Sequence, residues 1–204
     1  MTSAAQPLIV ELDSVLSRAP AAWRSTTLRR LADLFLVDAA AYTDDQVEVF
    51  DDVMCRLIDK ADRRTLAELS NRLAQVKKAP IRVVATLARN LDISIAGPLL
   101  EKSNVLTDAD LVEIADREKK DLAALSSIAA RVQLSEAVTD VLVRRGNAAL
   151  TRKLIDRADA PLSESSFARL VTSVENDKDL ATAIAKREDL PAELRPWLDA
   201  ALAQ

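Results

Sequence analysis

Leu106-Thr107-Asp108, Leu134-Ser135-Glu136, Leu162-Ser163-Glu164 and Leu190-Pro191-Ala192-Glu193 open four successive stretches of this chain, and their leucines stand 28 residues apart each time. A fixed period of this length marks a repeat architecture. Each of the first three openings places a Thr or Ser before acids, the chemistry of a helix start. The hydroxyl accepts from a free N–H of the first turn, and the acids complement the positive end of the helix dipole. Eight residues after each opening leucine comes another apolar side chain, Ile114, Leu142, Leu170 and Leu198. The spacing predicts that these four face the core.

A polar break follows in each unit, at Arg117 to Asp121, Arg144 to Asn147 and Glu175 to Asp179. A second apolar helix is then predicted: Leu122, Leu125 and Ile128 in one unit, Leu150, Leu154 and Ile155 in the next, Leu180 and Ile184 in the third. Each unit reads as a helix pair. One pair cannot bury its own apolar faces, so stability must come from stacking neighbours into a continuous core. The expectation is an all-α fold, a HEAT-like α-solenoid of stacked antiparallel helix pairs with a repeat of about 28 residues.

Working outward to the N-terminus, Ala79 to Asn104 reads as a divergent first copy, with Pro80 before Ile81, Val84 and Leu87 and a second helix from Asp92. Pro98, six residues after Asp92, removes a ladder hydrogen bond, so the helix either kinks there or begins there, and a kink is expected. Residues 1–78 read as a helical N-terminal region and 79–204 as repeats, together one all-α repeat domain. Within that region Pro7 opens a helix carrying Leu8, Leu12 and Leu16, and Pro20 opens another through Trp23 to about Val37. Thr43-Asp44-Asp45-Gln46 is a capping box before an amphipathic helix with Val47, Phe50, Met54, Leu57 and Ile58 on one face. A further helix follows Asp62, where Leu66, Leu69, Leu73 and Val76 step by three and four.

Composition closes off several classes. Hydrophobic residues make up 49% and aromatics 3%, and there are two glycines, a helix-favouring balance. The absence of histidine excludes Ser-His-Asp and Cys-His catalysis and His-ligated metals. Two glycines, Gly97 and Gly146, build neither a phosphate loop nor a dinucleotide fingerprint. No cofactor or metal is expected. Asp108, Asp110 and Glu113 lack the spacing of a calcium loop and read as helix capping. Cys55, the one thiol, reads as a small residue at the core edge rather than a nucleophile, and a lone cysteine suits a reducing compartment. No basic leader precedes an apolar stretch, and no run approaches the roughly 18 apolar residues of a span. A cytoplasmic protein is expected.

The segments Leu31-Ala-Asp-Leu-Phe-Leu36, Gln46-Val-Glu-Val-Phe-Asp-Asp-Val53, Asp92-Ile-Ser-Ile-Ala-Gly-Pro-Leu99, Leu106 to Ala115 and Leu134-Ser-Glu-Ala-Val-Thr-Asp-Val-Leu142 resemble an alphaproteobacterial family, domain of unknown function 2336. The likeness runs from Leu31 to Pro191. What the resemblance implies is a bacterial cytoplasmic protein with no established enzymatic activity, and no functional residues to carry over.

Two charge features are candidates for a partner site. From Asp38 to Asp52 there are six acids and no base, whereas Arg56 to Arg89 holds nine bases and three acids. Arg63, Arg64, Lys77, Lys78 and Arg82 belong to the latter, a surface for an acidic partner if they gather. Lys102, Arg131, Arg157 and Lys186-Arg187 fall near the ends of second helices, so stacking would align them along a concave face. Basic residues also favour helix C-termini through the dipole alone. Trp23 and Trp197 are expected to plug the ends of the stack.

The functional expectation is a non-catalytic protein-protein interaction scaffold that binds another protein, possibly an acidic one, on its concave face. The competing classes are a HEAT-like DNA glycosylase and a structural homo-oligomer. A net charge of −4 and six aromatics argue against nucleic acid.

Overall fold

The computed structural model describes residues 20–117, 122–174 and 177–202. The helix expected from Pro7 lies outside them. Among the described residues the chain is all-helical, with twelve α-helices and one short 3-10 turn. It divides into two compact units, residues 1–106 and 107–204. The division falls at the first opening leucine, and the pair read as a divergent first repeat lies in the first unit.

In the first unit α1 (Ala21–Val37), α2 (Asp44–Ile58), α3 (Arg63–Leu73), α4 (Ile81–Ala88) and α5 (Ile93–Lys102) pack as two stacked pairs beside α1. Helix α2 lies on α4 and α3 lies on α5, while α1 covers α2 and α3. Helix α2 starts as predicted, with the Gln46 amide accepted by Thr43 Oγ1 at 3.3 Å and the Gln46 side chain returning to the Thr43 amide at 2.9 Å. Met54, Leu57 and Ile58 are its buried stripe, and Phe35, Tyr42 and Phe50 gather beside it with centroids 5.1 to 5.7 Å apart.

Helix α4 has Pro80 at its N-cap and so no side-chain cap of its own. Asp51 of α2, 5% exposed, supplies one, accepting from the amides of Arg82 and Val83 at 2.9 Å each. Its first residue, Ile81, is 61% exposed and lies off the apolar stripe that sequence reading gave it, because Val83, Val84, Leu87 and Ala88 already fill that face. Helix α5 begins at Ile93 behind Asp92 and runs through Pro98 to Lys102, so Pro98 lies inside a continuous helix rather than at its start.

In the second unit the pairs are α6 (Asp108–Asp116) with α7 (Leu122–Ala129), α8 (Glu136–Arg145) with α9 (Ala148–Ile155), and α10 (Glu164–Ser173) with α11 (Lys178–Ala185). The turn Ala192–Leu194 and α12 (Arg195–Leu202) close it. First helices pack on first helices, α6 on α8 on α10, and second helices on second helices, α7 on α9 on α11. The hydroxyls of Thr107, Ser135 and Ser163 cap α6, α8 and α10, and Asp110 completes a capping box with Thr107. Ile114, Leu142, Leu170 and Leu198 are buried, as the period predicts.

Two readings are corrected here. Leu122 is exposed at the first position of α7, where one turn has yet to bring the chain onto its neighbours; Leu125 and Ile128 carry the contact. Trp23 and Trp197 do not plug the ends, being 46% and 70% exposed. A residue beside a buried one on a helix is rotated by about 100° away from it. Arg24 and Leu198 occupy the inward positions, which turns their tryptophan neighbours to the surface.

Candidate functional site

In the basic stretch of the first unit four of the nine bases are paired with acids. Arg82 pairs with Asp51 and Asp52, Lys78 with Asp44 at 3.7 Å, Arg72 with Asp33 at 2.7 Å, and Arg63 with Asp92. Asp44, Asp51 and Asp52 of the acidic segment thus pair with Lys78 and Arg82 of the basic one, because stacking α2 on α4 brings the two segments together. Hydrogen bonds from Arg63 and Ser94 hold the Asp92 carboxyl well below the usual carboxylate range. Arg64 and Lys77 are exposed and have no ion-pair partner among the described residues. Lys102, at the end of α5, lies 3.7 Å from Glu101.

In the second unit Arg131, Arg157 and Arg187 do form a row, and the row is bonded to itself. Arg157 reaches back one repeat and donates to the carbonyls of Ala129, Arg131 and Val132 at 2.7, 2.8 and 3.2 Å. Arg187 does the same to Ile155, Arg157 and Ala160 at 3.1, 2.7 and 2.7 Å, and it is 6% exposed. Helix C-termini leave carbonyls without intrahelical partners, so a guanidinium with its planar set of donors satisfies several at once. Each is oriented by an aspartate two residues on, Asp159 for Arg157 and Asp189 for Arg187. Burial holds the Arg131 guanidinium below its ordinary value, offset in part by Asp108.

The first-helix side carries its own ties across one repeat: Arg144 to Asp116 at 2.8 Å, Arg145 to the Arg117 carbonyl at 2.7 Å, and Asp140 accepting from Ser163 and Ser166 at 2.6 Å each.

The row of arginines borders two open grooves on the second-helix face. The lower, between α7 and α9, has a volume of about 500 Å3 and is floored by Ser126, Ala129, Ala130 and Val132, with Lys153 and Arg157 opposite. The upper, between α9 and α11, has a volume of about 650 Å3 and is floored by Arg152, Ile155, Asp156 and Ala158, with Ala183 and Arg187 opposite. Aligned on Arg131, Arg157 and Arg187, these are the same positions one repeat on: Ser126 with Arg152, Ala129 with Ile155, Ala130 with Asp156, Val132 with Ala158, and Lys153 with Ala183.

Sequence reasoning reached the border of this site but missed its floor. Ala130, Lys153 and Ala158 sit where second helices end, and an exposed alanine carries no signal until the neighbouring repeat shows that it lies in a groove.

Cys55 is half-buried, with Sγ 3.7 Å from Asp51 Oδ1. Burial first, and the Asp51 charge second, push its pKa up to about 11, the opposite of an activated thiol.

The class defined by these features is an all-helical protein whose second unit stacks helix pairs and presents repeated grooves on one face. Residues 95–203 match the model of the family described as an uncharacterised protein conserved in bacteria, DUF2336, and the chain belongs to that family. The likeness read from Leu31 to Pro191 is therefore matched from Ile95 onward. No curated protein and no solved structure matches the chain. No helix among the described residues is long and apolar enough to cross a membrane.

Proposed function

We propose that this chain is a non-catalytic, cytoplasmic interaction scaffold, and that it binds another protein along the second-helix face of its second unit. The observation that carries this reading is the repetition of one groove at equivalent positions, 126 to 132 and 152 to 158, each bordered by an arginine that its aspartate and the preceding carbonyls hold in place. Binding constellations need supports that do not move, and these arginines stiffen the groove edges. Lys153 and Lys186 then supply the charge that a partner meets, with Val132, 87% exposed, as the apolar contact.

Ala130→Trp and Ala158→Trp test the proposal. Both alanines are exposed, so the indoles occupy the grooves without disturbing the core. Affinity capture from bacterial lysate is expected to retain a partner with the native chain and lose it with the double variant, at unchanged helicity. Equal capture by both proteins overturns the proposal.

A further inference from the structure

The two grooves repeat in geometry but not in charge, and this difference identifies what they bind. The lower groove is lined by three bases, Arg131, Lys153 and Arg157, and one acid, Asp159. Arg157 and Asp159 neutralise each other at 2.6 Å, and the partly buried Arg131 is offset by the charge of Asp108. Lys153 remains, exposed and with no ion-pair partner among the described residues. In the upper groove Arg152 pairs with Asp156 at 3.1 Å and Arg187 with Asp189 at 2.7 Å. The charges left there are Asp179 and Glu188 against the single Lys186. The lower groove is thus positive and the upper one negative.

We infer that the face takes a peptide segment in the polyproline II conformation, carrying an acidic side chain and a basic side chain three residues apart and so on one face. The acid sits in the lower groove near Lys153, the base in the upper groove near Asp179 and Glu188, and the two small aliphatic residues between them lie beside Val132 and Ala158. The spacing follows from the stack. Neighbouring packed helices lie about 8–10 Å apart. Three residues of polyproline II chain, one full turn, cover about 9 Å and return the side chain to the same face. Complementary charge selects among partners more than it adds affinity, so discrimination is the quantity to read. The inference rests on the interaction reading above, and the experiment separates the two.

The probes are three fluorescein-labelled peptides that differ only in charge: Gly-Ser-Glu-Val-Ala-Lys-Ser-Gly and its versions with two glutamates or two lysines. Fluorescence anisotropy at low salt is measured against the full chain and against Lys153→Glu, Glu188→Lys and Ala130→Trp. Each matched charge at such an exposed site is worth about threefold. The native chain is expected to favour the mixed peptide by that factor over both others. Lys153→Glu is expected to shift the preference to the two-lysine peptide, and Glu188→Lys to the two-glutamate peptide. Equal binding of all three by the native chain, or a ranking that neither charge variant changes, overturns the inference. If all three bind equally and Ala130→Trp abolishes binding, the face is still the interaction surface and only its charge selection fails. Binding indifferent to Ala130→Trp overturns both, and absence of saturable binding by any peptide overturns the inference while the capture experiment decides the face.

Discussion

The backbone carbonyl of Arg157 accepts a 2.7 Å hydrogen bond from Nη1 of Arg187, one repeat further along the chain. The same step is made by Arg157 to the carbonyl of Arg131 at 2.8 Å, so each arginine is held through its backbone by the side chain of the next. Charges that look like a display for a partner are here, in the main, a fastening between repeats.

Arg187→Ala is expected to destabilise the second unit by about 3 kcal/mol, because buried carbonyls lose a charged donor and no water replaces it. Arg187→Lys is expected to recover less than half of the loss, since one ammonium cannot span carbonyls that a planar guanidinium meets together. Urea unfolding of the three proteins checks the order. An unchanged midpoint in Arg187→Ala would remove the fastening role.

Asp51 caps a helix that its own sequence leaves uncapped. Asp51→Ala is expected to cost about 2–3 kcal/mol, as two amide donors of α4 lose a charged acceptor in a buried place. Asp51→Asn keeps one acceptor oxygen and is expected to lie between. Thermal melts of these variants beside Asp52→Ala, an exposed neighbour, separate the cap from general loss of charge.

Acid is expected to loosen the first unit. The Ser25 hydroxyl and the Thr65 amide hold the Asp62 carboxyl well below the usual carboxylate range, and Arg63 does the same for Asp92. A depressed acid contributes its full stability above its unfolded value, near 4, and loses it as the pH falls from there towards the folded value. Unfolding midpoints should therefore be flat near neutrality and fall below about pH 4. Asp62→Asn, which still caps but does not titrate, should show a shallower fall; the same slope as the native chain would count against Asp62 as a source.

Cys55 is expected to be unreactive. With its pKa near 11, the thiolate fraction at pH 8 is about one in a thousand. Alkylation by iodoacetamide followed by mass spectrometry should be far slower than for a free thiol and should still be rising at pH 10. A plateau below pH 9 would contradict the burial and the Asp51 contact that raise it.

Trp197 is expected to be a surface residue in solution as well. Acrylamide should quench its fluorescence readily in a Trp23→Phe background, and Trp197→Ala should leave the melting temperature within error. A protected indole would restore the end-plug role expected from its position near the close of the repeats.

Helix starts, the helix pairs and their core residues were legible because they depend on near neighbours in the chain. A serine three residues before an amide caps it whatever lies elsewhere, and a period of 28 returns Ile114, Leu142, Leu170 and Leu198 to one place. The row of Arg131, Arg157 and Arg187 was visible for the same reason. Its role was not, because the carbonyls that Arg187 meets belong to residues 27 to 33 positions earlier. The pairing of Asp44, Asp51 and Asp52 with Lys78 and Arg82 was hidden likewise, as was the cap that Asp51 gives α4. Sequence alone determined an all-helical chain of repeated pairs and where those helices begin. Tertiary structure decided which charges face carbonyls, which face each other and which remain at a groove, since a side chain's partner is set by the neighbour that stacking brings to it.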